Sequence, residues 1–117
     1  MTNREAVVKY NELKSISKCT GMLGWYVYKN LKALEEATEP YRKVHDNIIR
    51  KYGGNEVDPV PKNKMNAAAA EMNELLDMEI VVDLTLMKRM QFEQIVQTAK
   101  DMTAETMLII DRNIVEP

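Results

Sequence analysis

The sequence predicts a mainly α-helical chain: a helical hairpin or bundle built on one long, Pro-kinked heptad helix, with one short β-strand or hairpin near residues 79-90. Three patterns carry this. Val27, Leu31, Leu34, Thr38, Tyr41, His45, Ile48 and Tyr52 step alternately by four and three, which is a heptad seam. Helix-start residues recur ahead of apolar-periodic stretches. A β-branched run, Ile80-Val81-Val82, interrupts the helical periodicity.

Thr2 and Glu5 have the spacing of a capping box, in which each side chain satisfies the other's free backbone N–H. Behind them Ala6, Tyr10, Leu13 and Ser17 form a narrow face, so the first helix is expected from about Asn3 to Lys18. Thr20-Gly21 then punctuates the chain. The long segment from Trp25 to Tyr52 follows, its solvated face carrying Lys29, Lys32, Glu35, Glu36, Arg42, Lys43 and Asp46. Pro40 lacks a backbone donor and crowds the preceding turn, which predicts a kink or break near Glu36 to Glu39. Thr38 would then cap a new helix with Pro40 in its first turn.

Gly53-Gly54 and the stretch Asn55 to Lys62, with Pro59 and Pro61, read as an exposed loop. Asn63 is placed to cap a third helix on which Met65, Ala68, Met72, Leu75 and Leu76 share a face. From Glu79 to Leu84 the residues Ile80, Val82 and Leu84 alternate with Val81 and Asp83, which predicts a strand. A lone strand needs a neighbour, and the options are Thr85 to Met90, a second copy of the chain, or another protein. Phe92, Ile95, Val96 and Ala99 suggest a fourth helix, and Thr103 caps a fifth with Met107, Ile110 and Ile114 on one side. With no repeats and no separating linker, residues 1-117 read as a single helical domain.

At 117 residues the chain is long enough to bury a core without staples. Sixteen basic and 18 acidic residues, a net charge of -2, are interleaved along it, so it carries no electrostatic footprint for nucleic acid. The nine Met suit either an irregular core or an adaptable binding surface, and helical spacing favours the core. The single cysteine, Cys19, cannot form an internal disulfide and reads as a small buried hydrophobe. No basic segment followed by an apolar run opens the sequence, and no apolar run approaches the length of a membrane span. A cytoplasmic protein without membrane contact is the expectation.

No constellation for catalysis is legible. Gly53-Gly54 lacks the Lys-Ser/Thr of a phosphate-binding loop. One His and one Cys exclude a structural zinc site, and no acidic spacing suits a hard cation. Ser15 and Ser17 sit on an amphipathic helix, not on a strained elbow. The expectation is therefore no catalytic residue, no metal and no cofactor. His45 reads as a half-buried seam residue that hydrogen-bonds across a helix pair and sets register. Asp77, Glu79 and Asp83 read as charges that guard a strand edge. The cluster Trp25-Tyr26-Val27-Tyr28 holds the single Trp and two of the five Tyr, more than one helix stripe can bury. Core packing is its ordinary role, yet Trp and Tyr are the residues enriched at binding hot spots. Trp25, Tyr26, Tyr28, Tyr41 and His45 are thus the candidate partner-binding residues.

The order of segments resembles an uncharacterised family of small proteins of tailed phages and prophages of Gram-positive bacteria. The resemblance is carried by Tyr10-Asn11-Glu12-Leu13, the run from Tyr28 to Glu36, Arg50-Lys51-Tyr52-Gly53, the run from Glu74 to Asp83, and the ending Ile110 to Glu116. Pro40 departs from that pattern. The resemblance implies a phage accessory protein in the host cytoplasm, with no catalytic residues to carry over. Such a protein is expected to act by contact with another protein, either binding and inhibiting a host defence protein or serving virion assembly, with homo-oligomerisation through the seam as one form. Nucleic-acid binding through Lys29, Lys32, Arg42, Lys43, Arg50 and Lys51 ranks lower, because acids interleave with them.

Overall fold

The computed structural model describes residues 1–117 and is mainly helical. Helix α1 spans Asn3–Ser15, α2 Gly21–Lys51, α3 Met65–Leu76, α4 Arg89–Thr98 and α5 Ala104–Ile114, and a single 3-10 turn, Lys62–Lys64, leads into α3. At a rise of about 1.5 Å per residue, α2 alone is about 46 Å long. It sets the longest dimension of the molecule, 54 Å. The radius of gyration, 17.4 Å, exceeds the roughly 13 Å of a compact chain of this size, so the protein is a spine with flanking helices rather than a ball.

Helices α3 and α1 lie head to tail along α2, both antiparallel to it. The carboxyl end of α2 meets α3 where Lys51 Nζ and Tyr52 Oη reach Glu71 at 2.5 and 3.0 Å. The carboxyl end of α3 meets the start of α1, where the Asn3 N–H donates to Met78 O at 3.0 Å and Asn3 Nδ2 to Leu75 O at 2.9 Å. Arg4 extends the junction to Asp77 and Asn73. Helix α5 runs antiparallel to α1, tied by Arg112 to Glu12 and by Lys9 to Asn113. Together α1, α4 and α5 enclose the amino-terminal half of α2 around Leu13, Val27, Leu34, Met87, Ile110 and Ile114. Ile48, Ala68 and Leu75 are buried outside this cluster, beneath α3.

Every seam residue from Val27 to Tyr52 is buried or half-buried, as the period requires. The seam is filled by the chain's own α1 and α3. The capping box forms, with Glu5 N donating to Thr2 Oγ1 and Thr2 N to Glu5 Oε1. Thr103 likewise accepts from Thr106 N. Helix α1 ends at Ser15, three residues before the expected limit, because Ile16 turns inward to the core.

Of the kink or break expected at Pro40, the break is not seen, and a new helix start at Thr38 is not seen either. Thr38 is 2% exposed in mid-helix, with its hydroxyl donating to Leu34 O at 2.7 Å. Pro40 and Glu36, whose carbonyl loses its donor, both lie on the solvent face, where water can replace the missing bond. Arg42 folds back to donate to Thr38 Oγ1 at 2.7 Å and Glu35 O at 3.1 Å. Packing of Leu34 and Thr38 before the proline and Ile48 after it outweighs the local penalty of about 3 kcal/mol. Asn63 also fails as a cap, since it lies inside the 3-10 turn and Lys64 occupies the cap position without a side-chain bond.

The expected strand or hairpin near residues 79-90 is absent. The segment's backbone makes two isolated bridges, Thr2 with Glu79 and Met87 with Val115, and between them the Leu84 N–H turns back to Val82 O at 3.2 Å. Each neighbour turns at once into a helix, α1 after Thr2 and α5 before Val115, so no ladder can propagate. Thr85 to Met90 does not fold back either, because α4 begins at Arg89. Between the bridges a side chain takes the place of a strand. Asn30 accepts from Thr85 N at 2.7 Å and donates to Thr85 O at 2.9 Å and to Tyr26 O at 2.8 Å.

Met87 is buried and Met1, Met102 and Met107 pack half-buried against the main cluster, while Met22, Met65, Met78 and Met90 are each more than half exposed. At the far end of α2, the hydrogen bond from Lys51 and then that from Tyr52 hold the Glu71 carboxyl below the usual carboxylate range, and the Glu71 bond raises Lys51. The contribution of Glu71 is therefore present above the ordinary carboxylate range and is lost as pH falls through its lowered value; that of Lys51 is lost as pH rises through its raised one. This is a surface pair, so the effect is small and screened by salt. Melting curves should show Glu71→Gln less stable than the parent at neutral pH and low salt, with the gap closing in acid and in high salt.

Candidate functional site

The amino-terminal end of α2 is shaped by a tight reversal of the chain. Gly21 opens the helix at φ 66, a left-handed value that glycine adopts without strain. One turn later Gly24 lies so close to the preceding turn that a Cβ would meet Cys19 O at 2.5 Å. These two glycines let α2 start directly against the end of α1. They thereby bring forward the next residues, which include the aromatic cluster.

The cluster divides. Tyr26 is half-buried, with its hydroxyl donating to Gln91 Oε1 of α4 at 3.3 Å. Trp25 is 47% and Tyr28 61% exposed. The Trp25 ring stands edge-on to Tyr26 with centroids 5.0 Å apart, and Lys29 Nζ lies 5.7 Å from its centroid. Contacts of this kind hold a large ring in place at an exposed position and reduce the entropy lost when a partner covers it. Of the three aromatics, core packing, the ordinary role of such a cluster, thus describes Tyr26 alone, beside the buried Val27.

Met22, Trp25 and Tyr28 are neighbours at spacings of three, forming a ridge between two hollows. On one side Met22 borders an open cavity of about 620 Å³ between the α1–α2 turn and the α4–α5 connection, floored by Ile16, Leu23, Ile95 and Met102. On the other, Tyr28 borders a smaller hollow of about 380 Å³ with Tyr10 and Leu31. Cys19 lines the larger cavity, and burial pushes its thiol pKa up, which leaves little thiolate for chemistry. The cavity escaped sequence reasoning because it joins residues 15–23 to residues 95–106. Only the Gly21 punctuation pointed to this end of the molecule.

Tyr41 and His45 do not join this site. They sit 13 or more residues along α2, about 20 Å away or more at helical rise. Their rings are tilted against each other at 5.8 Å. His45 Nδ1 meets Asp46 Oδ1 at 3.3 Å, so its polar contact is to the next residue and not across a helix pair. Burial raises the Tyr41 hydroxyl pKa, offset in part by the charge of Arg4. Three of the six basic residues of α2 are engaged, Arg42 with Thr38, Lys43 with Glu39 and Lys51 with Glu71. Asp77 pairs with Arg4, and Glu79 with the amino group of Met1. No three His, Cys, Asp or Glu side chains are grouped to hold a metal ion, and no helix is long and apolar enough to cross a membrane.

Compared with protein-family models, curated proteins and solved structures, the chain gives no match.

Proposed function

We propose that this chain is a non-enzymatic phage accessory protein that acts in the host cytoplasm by binding, and thereby inhibiting, a host protein, one of its defence proteins in the first instance. The observation that carries the reading is the exposure of Trp25 and Tyr28 on a ridge flanked by two hollows. Large, rigid aromatics beside concave, partly apolar surface have the make-up of a binding hot spot and its pockets. The phage setting rests on the segment resemblance. Because α1 and α3 already cover the heptad seam, the ridge is the better surface for a partner.

Replacing Trp25 and Tyr28 together by Ala tests this. Affinity capture from host lysate should yield one stoichiometric protein with the parent chain and about tenfold less or lower with the double variant, a loss of roughly 1.4 kcal/mol or more. The helical circular dichroism should be unchanged. Equal capture by both, or no stoichiometric partner for the parent, overturns the reading.

A further inference from the structure

A second surface, on a different segment, lies at residues 79 to 82. Ile80 turns its backbone groups inward: its N–H donates to Met1 O at 2.8 Å and its carbonyl accepts from the Met1 amino group at 3.3 Å. Successive residues of an extended chain present their N–H and C=O groups to opposite edges, so Glu79 and Val81 present theirs to the outer edge, and the run ends where the Leu84 N–H turns back to Val82 O at 3.2 Å around Asp83. None of the Glu79 or Val81 groups has a hydrogen-bond partner within the protein.

The side chains fit an edge held ready. Ile80, Val82 and Leu84 pack against the core, and the Asn30 bonds to Thr85 hold the segment in place. Val81 is 93% exposed, with Glu79 and Asp83 exposed on either side. The outward face therefore reads acidic, apolar, acidic. Asp83 makes no ion pair, while Glu79 lies 3.3 Å from the Met1 amino group.

We propose that residues 79 to 82 accept, as an added β-strand, an extended segment of another protein in which basic residues alternate with apolar ones, with the exposed Asp83 carboxylate at the end of the edge. Main-chain bonds would supply the attachment and alternate side chains the selectivity. A second copy of this chain is disfavoured by charge: antiparallel pairing centred on Val81 brings Glu79 of one copy near Asp83 of the other, twice, and like charges so placed repel. The acids that repel a second copy attract a basic strand.

The test is fluorescence anisotropy with a fluorescein-labelled peptide of alternating lysine and valine, compared with versions N-methylated at every second residue in either phase. The parent protein should bind the unmethylated peptide and one methylated phase, and lose at least tenfold in affinity for the other phase. Val81→Pro removes a donor that no internal bond uses and should weaken binding at least tenfold. Asp83→Lys should do the same through charge without touching the backbone. Three results overturn the proposal: no binding of the unmethylated peptide, equal binding of both methylated phases together with full binding by Val81→Pro, or a concentration-dependent dimer of the parent that Val81→Pro abolishes.

Discussion

Asn30→Leu should destabilise the protein by about 2–4 kcal/mol, since each part-buried backbone group left without a partner costs about 1–3 kcal/mol. Asn30 is wholly buried, and its amide is the only partner of both backbone groups of Thr85. Leucine keeps the branching but is bulkier, so crowding adds to the loss of the hydrogen bonds. The expected result is a lower denaturant midpoint together with faster amide exchange at Thr85 than at Met87, whose N–H is bonded to Ile114 O. Stability equal to or above that of the parent would mean that water or a shifted segment replaces the amide.

Leu34→Ala should cost more, about 3–5 kcal/mol, because it empties a rigid site. Leu34 is 0% exposed and lies in the main cluster with Leu13, Ile110 and Ile114, where three helices converge. The same truncation at Ile48, 8% exposed beneath α3 alone, should cost only about 2 kcal/mol, because that smaller contact can relax. Chemical denaturation of the two variants measures the difference. Equal losses would show that α3 and the main cluster share one uniformly packed core.

What the sequence disclosed follows from how local each cause is. The box at Thr2 and Glu5 and the Thr103 cap are read over four residues, and both form. The seam is periodic, so its inward face was legible over its whole length. Residues 79 to 84 show the limit: β-branched alternation reports an extended backbone but not a neighbour, and the neighbours here are two chain ends and the side chain of Asn30. Asn30 pairs with a residue 55 positions away, and no local pattern marks it. Pro40 misled for a related reason, since its penalty is local while the packing that offsets it is tertiary. Of the candidate site, Trp25 and Tyr28 stood out by composition. The adjoining cavity did not, because it exists only once α4 and α5 close on α2.

A protein partner that covers the Trp25 ridge must change the surroundings of the Trp25 ring. Because the chain has a single Trp, growth with 5-fluorotryptophan gives one fluorine resonance, which can be followed by nuclear magnetic resonance in unlabelled host lysate. The account predicts that this resonance shifts or broadens in saturable fashion as lysate is added, and that Tyr28→Ala weakens the response. A resonance unchanged from buffer to concentrated lysate would contradict it.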